Sequence, residues 1–117
     1  MAHAENETVT PLPAATLYVL LALASEDRHG YGIIQEVSRL SSASYRVGSG
    51  TLYDNLKKLL QQEWVEDYES QESGSGETRR MYRITDEGRR VLAADVTRMK
   101  RIVRVANRML ADEGGRA

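Results

Sequence analysis

The sequence predicts a mainly α fold with one small β-hairpin and a long final helix. Three observations carry that prediction. Apolar residues recur at helical spacing in three short stretches between 11 and 61. Two stretches with aromatic and β-branched content, 64–70 and 78–85, flank a Gly/Ser-rich loop at 71–77. From Leu92 onward, apolar residues return at alternating steps of four and three.

Residues 1–10 are polar and aperiodic, so a flexible tail is expected there. Pro11 and Pro13 stand where a helix can begin. LPAATLYVLLALAS follows, apolar on nearly every side, which predicts a buried central helix too short to cross a bilayer. EDRHG (26–30) breaks it. YGIIQEVSRLS gives a second helix with Tyr31, Ile33, Ile34, Val37 and Leu40 along one side. Ser41, Ser42 and Ser44 end it, and YRV (45–47) reads as a short extended segment.

GTLYDNLKKLLQQEWV opens the third helix. Leu52, Leu56, Leu59 and Leu60 share its buried side, and Thr51, Asp54, Lys57, Lys58 and Gln61 lie opposite. Gly48 or Ser49 caps its start, and Gly50 keeps the first turn small. A helix N-terminus offers N–H groups and a partial positive charge, both suited to phosphate. The hairpin comes next, with Tyr82 and Ile84 on one face and Arg79, Met81 and Arg83 on the other. Thr85 is an N-cap for the last helix, with Asp86 and Glu87 in its first turn. That helix is expected over 86–111, with a flexible tail at 112–117. Its seam is Leu92, Val96, Met99, Val103, Ala106 and Leu110, widened by Ile102 and Met109.

The 117 residues suit one domain and contain no Cys, which excludes disulfides, thiolate metal sites and a Cys nucleophile. With only His3 and His29, no metal site is expected. No GxSxG, HExxH, GxxxxGK or GxGxxG motif occurs, so neither catalytic residues nor a cofactor are expected. No secretory signal or membrane span is read, and a soluble cytoplasmic protein is the expectation. The net charge of −1 hides an asymmetry. Residues 1–77 hold five basic and 12 acidic side chains, residues 78–117 eleven basic and five acidic. The basic half suits an anionic partner, or is simply a solvated basic helix.

Helix–helix–helix–hairpin is the order of a winged helix-turn-helix domain, placed at 11–85, in which the third helix enters a DNA major groove and the hairpin lies along the backbone. Ser49, Gly50, Thr51, Tyr53, Asp54, Asn55, Lys57 and Lys58 are the expected DNA-facing residues of the helix, with Arg79, Arg80 and Tyr82 in the hairpin. Asn55 suits adenine, Asp54 suits cytosine, and the lysines suit phosphate or guanine. Tyr53 either donates its hydroxyl to a phosphate or packs. The bland alternative is a polar helix face of the kind any soluble helix has, and the element order with Arg79, Arg80 and Arg83 favours DNA.

HGYGIIQEV (29–37), GTLYDNLKKLLQQEWVE (50–66) and TRRMYRITDEGRRVL (78–92) resemble the PadR-like transcriptional regulators, across residues 12–110. The resemblance implies a dimeric winged helix-turn-helix repressor with a single C-terminal dimerisation helix. It places Gly50, Thr51, Tyr53 and the basic residues after them at the DNA, and Arg79 and Arg80 in the wing. Ser49 and Asp54 stand where the family often has Pro. Residues 86–110 hold no Phe, Tyr or Trp, so stacking of flat drugs between dimer helices is not carried over. The resulting expectation is a homodimeric repressor on palindromic double-stranded DNA, released by a small-molecule effector near Tyr18 and Trp64. The alternative is a protein-interaction module whose basic face meets an acidic partner.

Overall fold

The computed structural model describes residues 10–71 and 78–116, with side chains as far as Asp112. The expected tail at 1–10 and the expected loop at 71–77 lie outside these residues except for Thr10 and Gln71, as does Ala117. Leu12–Leu92 forms one compact unit, and the last helix from Ala93 onward belongs to a second.

The first unit begins with α1 (Ala14–Ser25), whose Val19, Leu20, Ala22 and Leu23 are buried, as an all-round apolar helix requires. EDRHG does more than break the chain. Arg28–His29 forms a two-residue strand, β1, paired antiparallel with the later strand at Tyr82 and Met81. Helix α2 spans Gly30–Leu40, and His29 caps it by accepting the Gly32 N–H on Nδ1 at 3.1 Å. Helix α3 spans Ser49–Gln61.

Both α2 and α3 end without glycine. After α2, the Ser42 and Ala43 N–H groups return to Arg39 and Ser38 carbonyls, with Ser42 at φ 52° and Ala43 at φ 64°. After α3, the Glu63 and Trp64 N–H groups return to Leu60 and Leu59, with Glu63 at φ 63°. These are Schellman closures carried by residues that tolerate the left-handed region poorly. YRV is not a strand. The Ser41 hydroxyl donates to the Tyr45 carbonyl at 2.9 Å and accepts the Tyr45 N–H at 3.0 Å, which turns the chain.

Strands β2 (Val65–Gln71) and β3 (Thr78–Ile84) form the hairpin, and the sheet order is β1-β3-β2. Leu20, Leu23, Ile33, Val37, Leu52, Leu56, Leu59, Val65, Tyr82, Ile84 and Leu92 make the core. Glu36, 8% exposed, is a buried acid. It accepts from Arg39 Nε at 2.9 Å and lies 3.6 Å from Arg28. The Arg39 bond, reinforced by the Arg28 and Arg39 charges, outweighs burial and holds its carboxyl below the usual range.

Helix α4 (Asp86–Arg116) runs past 111, so the expected tail at 112–117 is helix as far as 116. Thr85 ties its start to the end of α3. The Thr85 hydroxyl donates to the Glu63 carbonyl at 2.7 Å and accepts the Gly88 N–H at 3.0 Å. The Thr85 N–H donates to the Trp64 carbonyl at 2.9 Å. A Cβ on Gly88 would overlap that same carbonyl, so glycine is required there by close approach. Beyond Ala93, Asp95 is buried and accepts from Arg98 at 2.7 Å. Val96 and Met99 are half-buried, while Ile102, Val103, Met109 and Leu110 are exposed. Among the described residues, no helix is long and apolar enough to cross a membrane.

Candidate nucleic-acid interface

Helix α3 begins at a glycine cap, Gly48, so no side chain closes its first turn. Ser49, Gly50 and Thr51 follow, all exposed, and a Cβ at Gly48 or Gly50 would meet nothing within 4 Å. This is an open helix N-terminus whose backbone an anion can approach closely. Asp54, Lys57 and Lys58 are exposed further along the same helix. Tyr53 is half exposed, and its hydroxyl end lies where a Gly30 Cβ would stand. Gly30 therefore seats Tyr53, a role that nothing local in the sequence signals.

Asn55 differs from the rest of the set. Its Oδ1 accepts the Thr16 hydroxyl of α1 at 2.8 Å, and its Nδ2 donates to the Thr51 carbonyl at 3.3 Å. The amide expected to read adenine is engaged within the chain. Tyr82 also leaves the expected surface set. It is 6% exposed, on the core-facing side of β3, and burial raises its phenol above the ordinary value.

The wing is not a bare basic surface. Glu69 lies directly across from Arg80 in the ladder, and Arg80 reaches Asp67 at 3.3 Å and Glu69 at 3.2 Å. Arg83 reaches Glu66 at 3.0 Å and Asp27 at 3.3 Å, with its guanidinium 4.6 Å from the Tyr68 ring centre. The Tyr68 hydroxyl donates to Asp27 at 2.6 Å, which raises its pKa. Arg79 is exposed opposite Ser70. Across the ladder Arg83 faces Glu66 and Arg80 faces Glu69, with Asp67 also within reach of Arg80. Arg80 and Arg83 are held by these acids, a relation that depends on hairpin register.

The two residues expected at an effector site have separate surroundings. Tyr18 stacks on Tyr45, with ring centres 5.0 Å apart and planes at 16°. Trp64 lines a groove of about 880 Å³ with Leu60, Val65, Thr85 and the acids Glu63 and Asp86 among its walls. Among the described residues, no group of three His, Cys, Asp or Glu side chains could hold a metal ion.

Comparison with known proteins gives a consistent result. The family described as transcriptional regulator PadR-like matches residues 19–94. An uncharacterized protein of Lysinibacillus sphaericus is 35% identical over 75 residues, 64% of this chain and 68% of that protein. A PadR family transcription regulator from Clostridium difficile R20291 superposes with a TM-score of 0.71 at 26% identity, over 84% of this chain and 99% of that one. Bacillus subtilis PadR in complex with operator DNA gives a TM-score of 0.62 at 21% identity, over 72% of this chain and 47% of that one. At that identity, the last likeness shows the fold alone.

Proposed function

The chain belongs to the PadR-like family of transcriptional regulators, and from that premise we propose that it represses transcription as a homodimer on palindromic operator DNA. One observation carries this reading: the uncapped start of α3, with Ser49, Gly50 and Thr51 exposed beside Tyr53 and with Lys57 and Lys58 further along the helix. Such an end presents backbone N–H groups to phosphate and side chains to base edges. The exposed seam Ile102, Val103, Met109 and Leu110 supports the dimer, because contiguous exposed apolar surface marks an interface. A homodimer on a palindromic operator has to present two reading helices about 34 Å apart, one turn of DNA.

Release by a small molecule remains part of the proposal, with Trp64 as its reporter in the groove it lines. The test of the whole reading is titration of DNA from the regulator's own upstream region against random competitor at several salt concentrations. Operator binding weakens with salt and still prefers one sequence. Val103→Glu, which puts a charge into the seam, yields monomers and loses specific binding. Light scattering of the parent at a mass near 13.1 kDa would end the dimer reading.

A further inference from the structure

The homodimer proposed above pairs α4 with its copy, and the charge on that helix has a consequence for how the pairing is controlled. From Val96 to Ala111, α4 carries Arg98, Lys100, Arg101, Arg104 and Arg108 and no acid. Arg98 is engaged by Asp95. Lys100, Arg101, Arg104 and Arg108 are exposed. Lys100 and Arg104 border the seam itself, lining with Val96, Met99, Val103 and Asn107 a groove of about 450 Å³.

In heptad terms, Val96, Val103 and Leu110 share one apolar position, and Leu92, Met99 and Ala106 share the other. One rim of the seam then holds Lys100 and Asn107. The other holds Ile102 and Met109. A two-fold contact is self-complementary, so these residues meet only copies of the same set. The 96–111 stretch of the partner offers no carboxylate to Lys100 or Arg104; the acids of α4 nearest to it are Asp95, paired with Arg98, and Asp112 beyond the end of the seam.

We propose that the paired α4 helices form a binding face for small inorganic anions, multivalent ones above all, which gather at the Lys100–Arg104 rim that each copy contributes and permit the two copies to associate. The proposal rests on the homodimer reading. It makes association strengthen as salt rises, while DNA binding weakens. Operator occupancy at low protein concentration then passes through a maximum in salt rather than falling throughout.

The test is the dimer dissociation constant of the full chain by sedimentation equilibrium. It should fall by about tenfold between ~20 and ~300 mM sodium chloride, as the screening length shortens past the spacing of the charges. Sodium sulfate at matched ionic strength should act more strongly. Lys100→Gln with Arg104→Gln should dimerise at low salt as tightly as the parent does at high salt. That variant also separates the anion effect from the general strengthening of apolar burial by sulfate. A parent dimer that weakens with salt would overturn the proposal, since it would mean ion pairs between subunits. Equal effects of chloride and sulfate, or a double variant that keeps the parent's salt dependence, would overturn it too. Val103→Glu distinguishes the two levels. If that variant stays dimeric, the seam is not the interface. If it is monomeric while the parent's dimer is indifferent to salt, only the anion face fails.

Discussion

The hydroxyl of Thr16 donates to Oδ1 of Asn55 across 2.8 Å, joining α1 to the exposed helix α3. The bond ties Asn55 to the fold. Asn55→Ala should lower stability by about 0.5–1.5 kcal/mol, and Thr16→Val by a similar amount. The double variant should be little worse than either single one, because both remove the same bond. Urea unfolding measures all three. Unchanged stability with relaxed preference at a single base pair would return Asn55 to a base-reading role.

Lys58 is exposed on α3. Lys58→Ala should weaken binding to all DNA sequences alike and reduce the salt slope by about one, as for a lost phosphate contact. Titration against operator and random DNA at three salt concentrations reads both quantities. A variant that binds both like the parent would remove this face of α3 from the interface.

Arg80 is shared between Asp67 and Glu69. Each is an exposed pair that contributes little to stability, but together they occupy the guanidinium a phosphate would otherwise take. Asp67→Asn with Glu69→Gln should therefore raise operator affinity and steepen the salt slope by about one. Arg80→Ala should cost less affinity than Lys58→Ala. Lower affinity in the acid-free wing would mean that the carboxylates position Arg80 for DNA instead of competing with it.

Two backbone positions predict opposite signs. Gly88→Ala drives a methyl into the Trp64 carbonyl, and overpacking of this kind costs about 1–3 kcal/mol. Glu63 holds a left-handed φ of 63° at the end of α3, so Glu63→Gly should gain about 1 kcal/mol. Thermal unfolding followed by circular dichroism compares them directly. A stabilised Gly88→Ala would show that the α3–α4 joint is looser than its hydrogen bonds require.

The Glu36 carboxyl is held below its usual value, first by its bond to Arg39. A depressed folded pKa stabilises at pH values above the unfolded one, about 4.5, and that contribution is lost as pH falls through the lowered value. Glu36→Gln should therefore lose stability near neutral pH and show a flatter acid limb. Parallel acid titrations of parent and variant test this, and identical limbs would exclude Glu36 as the acid-sensitive group.

Much of this was legible in the sequence because it is written locally. The leucine spacing of α3 and the Thr85 cap each follow from neighbours a turn or two away. What was not legible depends on residues far apart. Arg28 and His29 become a strand only because β3 pairs with them. Asn55 finds its partner 39 positions away in sequence. Tyr82 was assigned to the correct face of β3, but only tertiary packing reveals that this face is the core. The acids holding Arg80 require the hairpin register, which the loop does not specify. The helix ends at Ser42 and Glu63 lack the glycine that normally announces them.

Among the described residues, β2 pairs with β3 alone, so its outer side is a sheet edge with backbone groups directed outward. Such an edge is a template for a strand from another chain, and charged side chains are a common guard against it. Glu66, Asp67 and Glu69 are charges of one sign along that edge. Two chains brought edge to edge would repel through them. The carboxylates that restrain Arg80 are thus expected to guard this edge as well, and a wing relieved of Asp67 and Glu69 should precipitate at concentrations the parent tolerates.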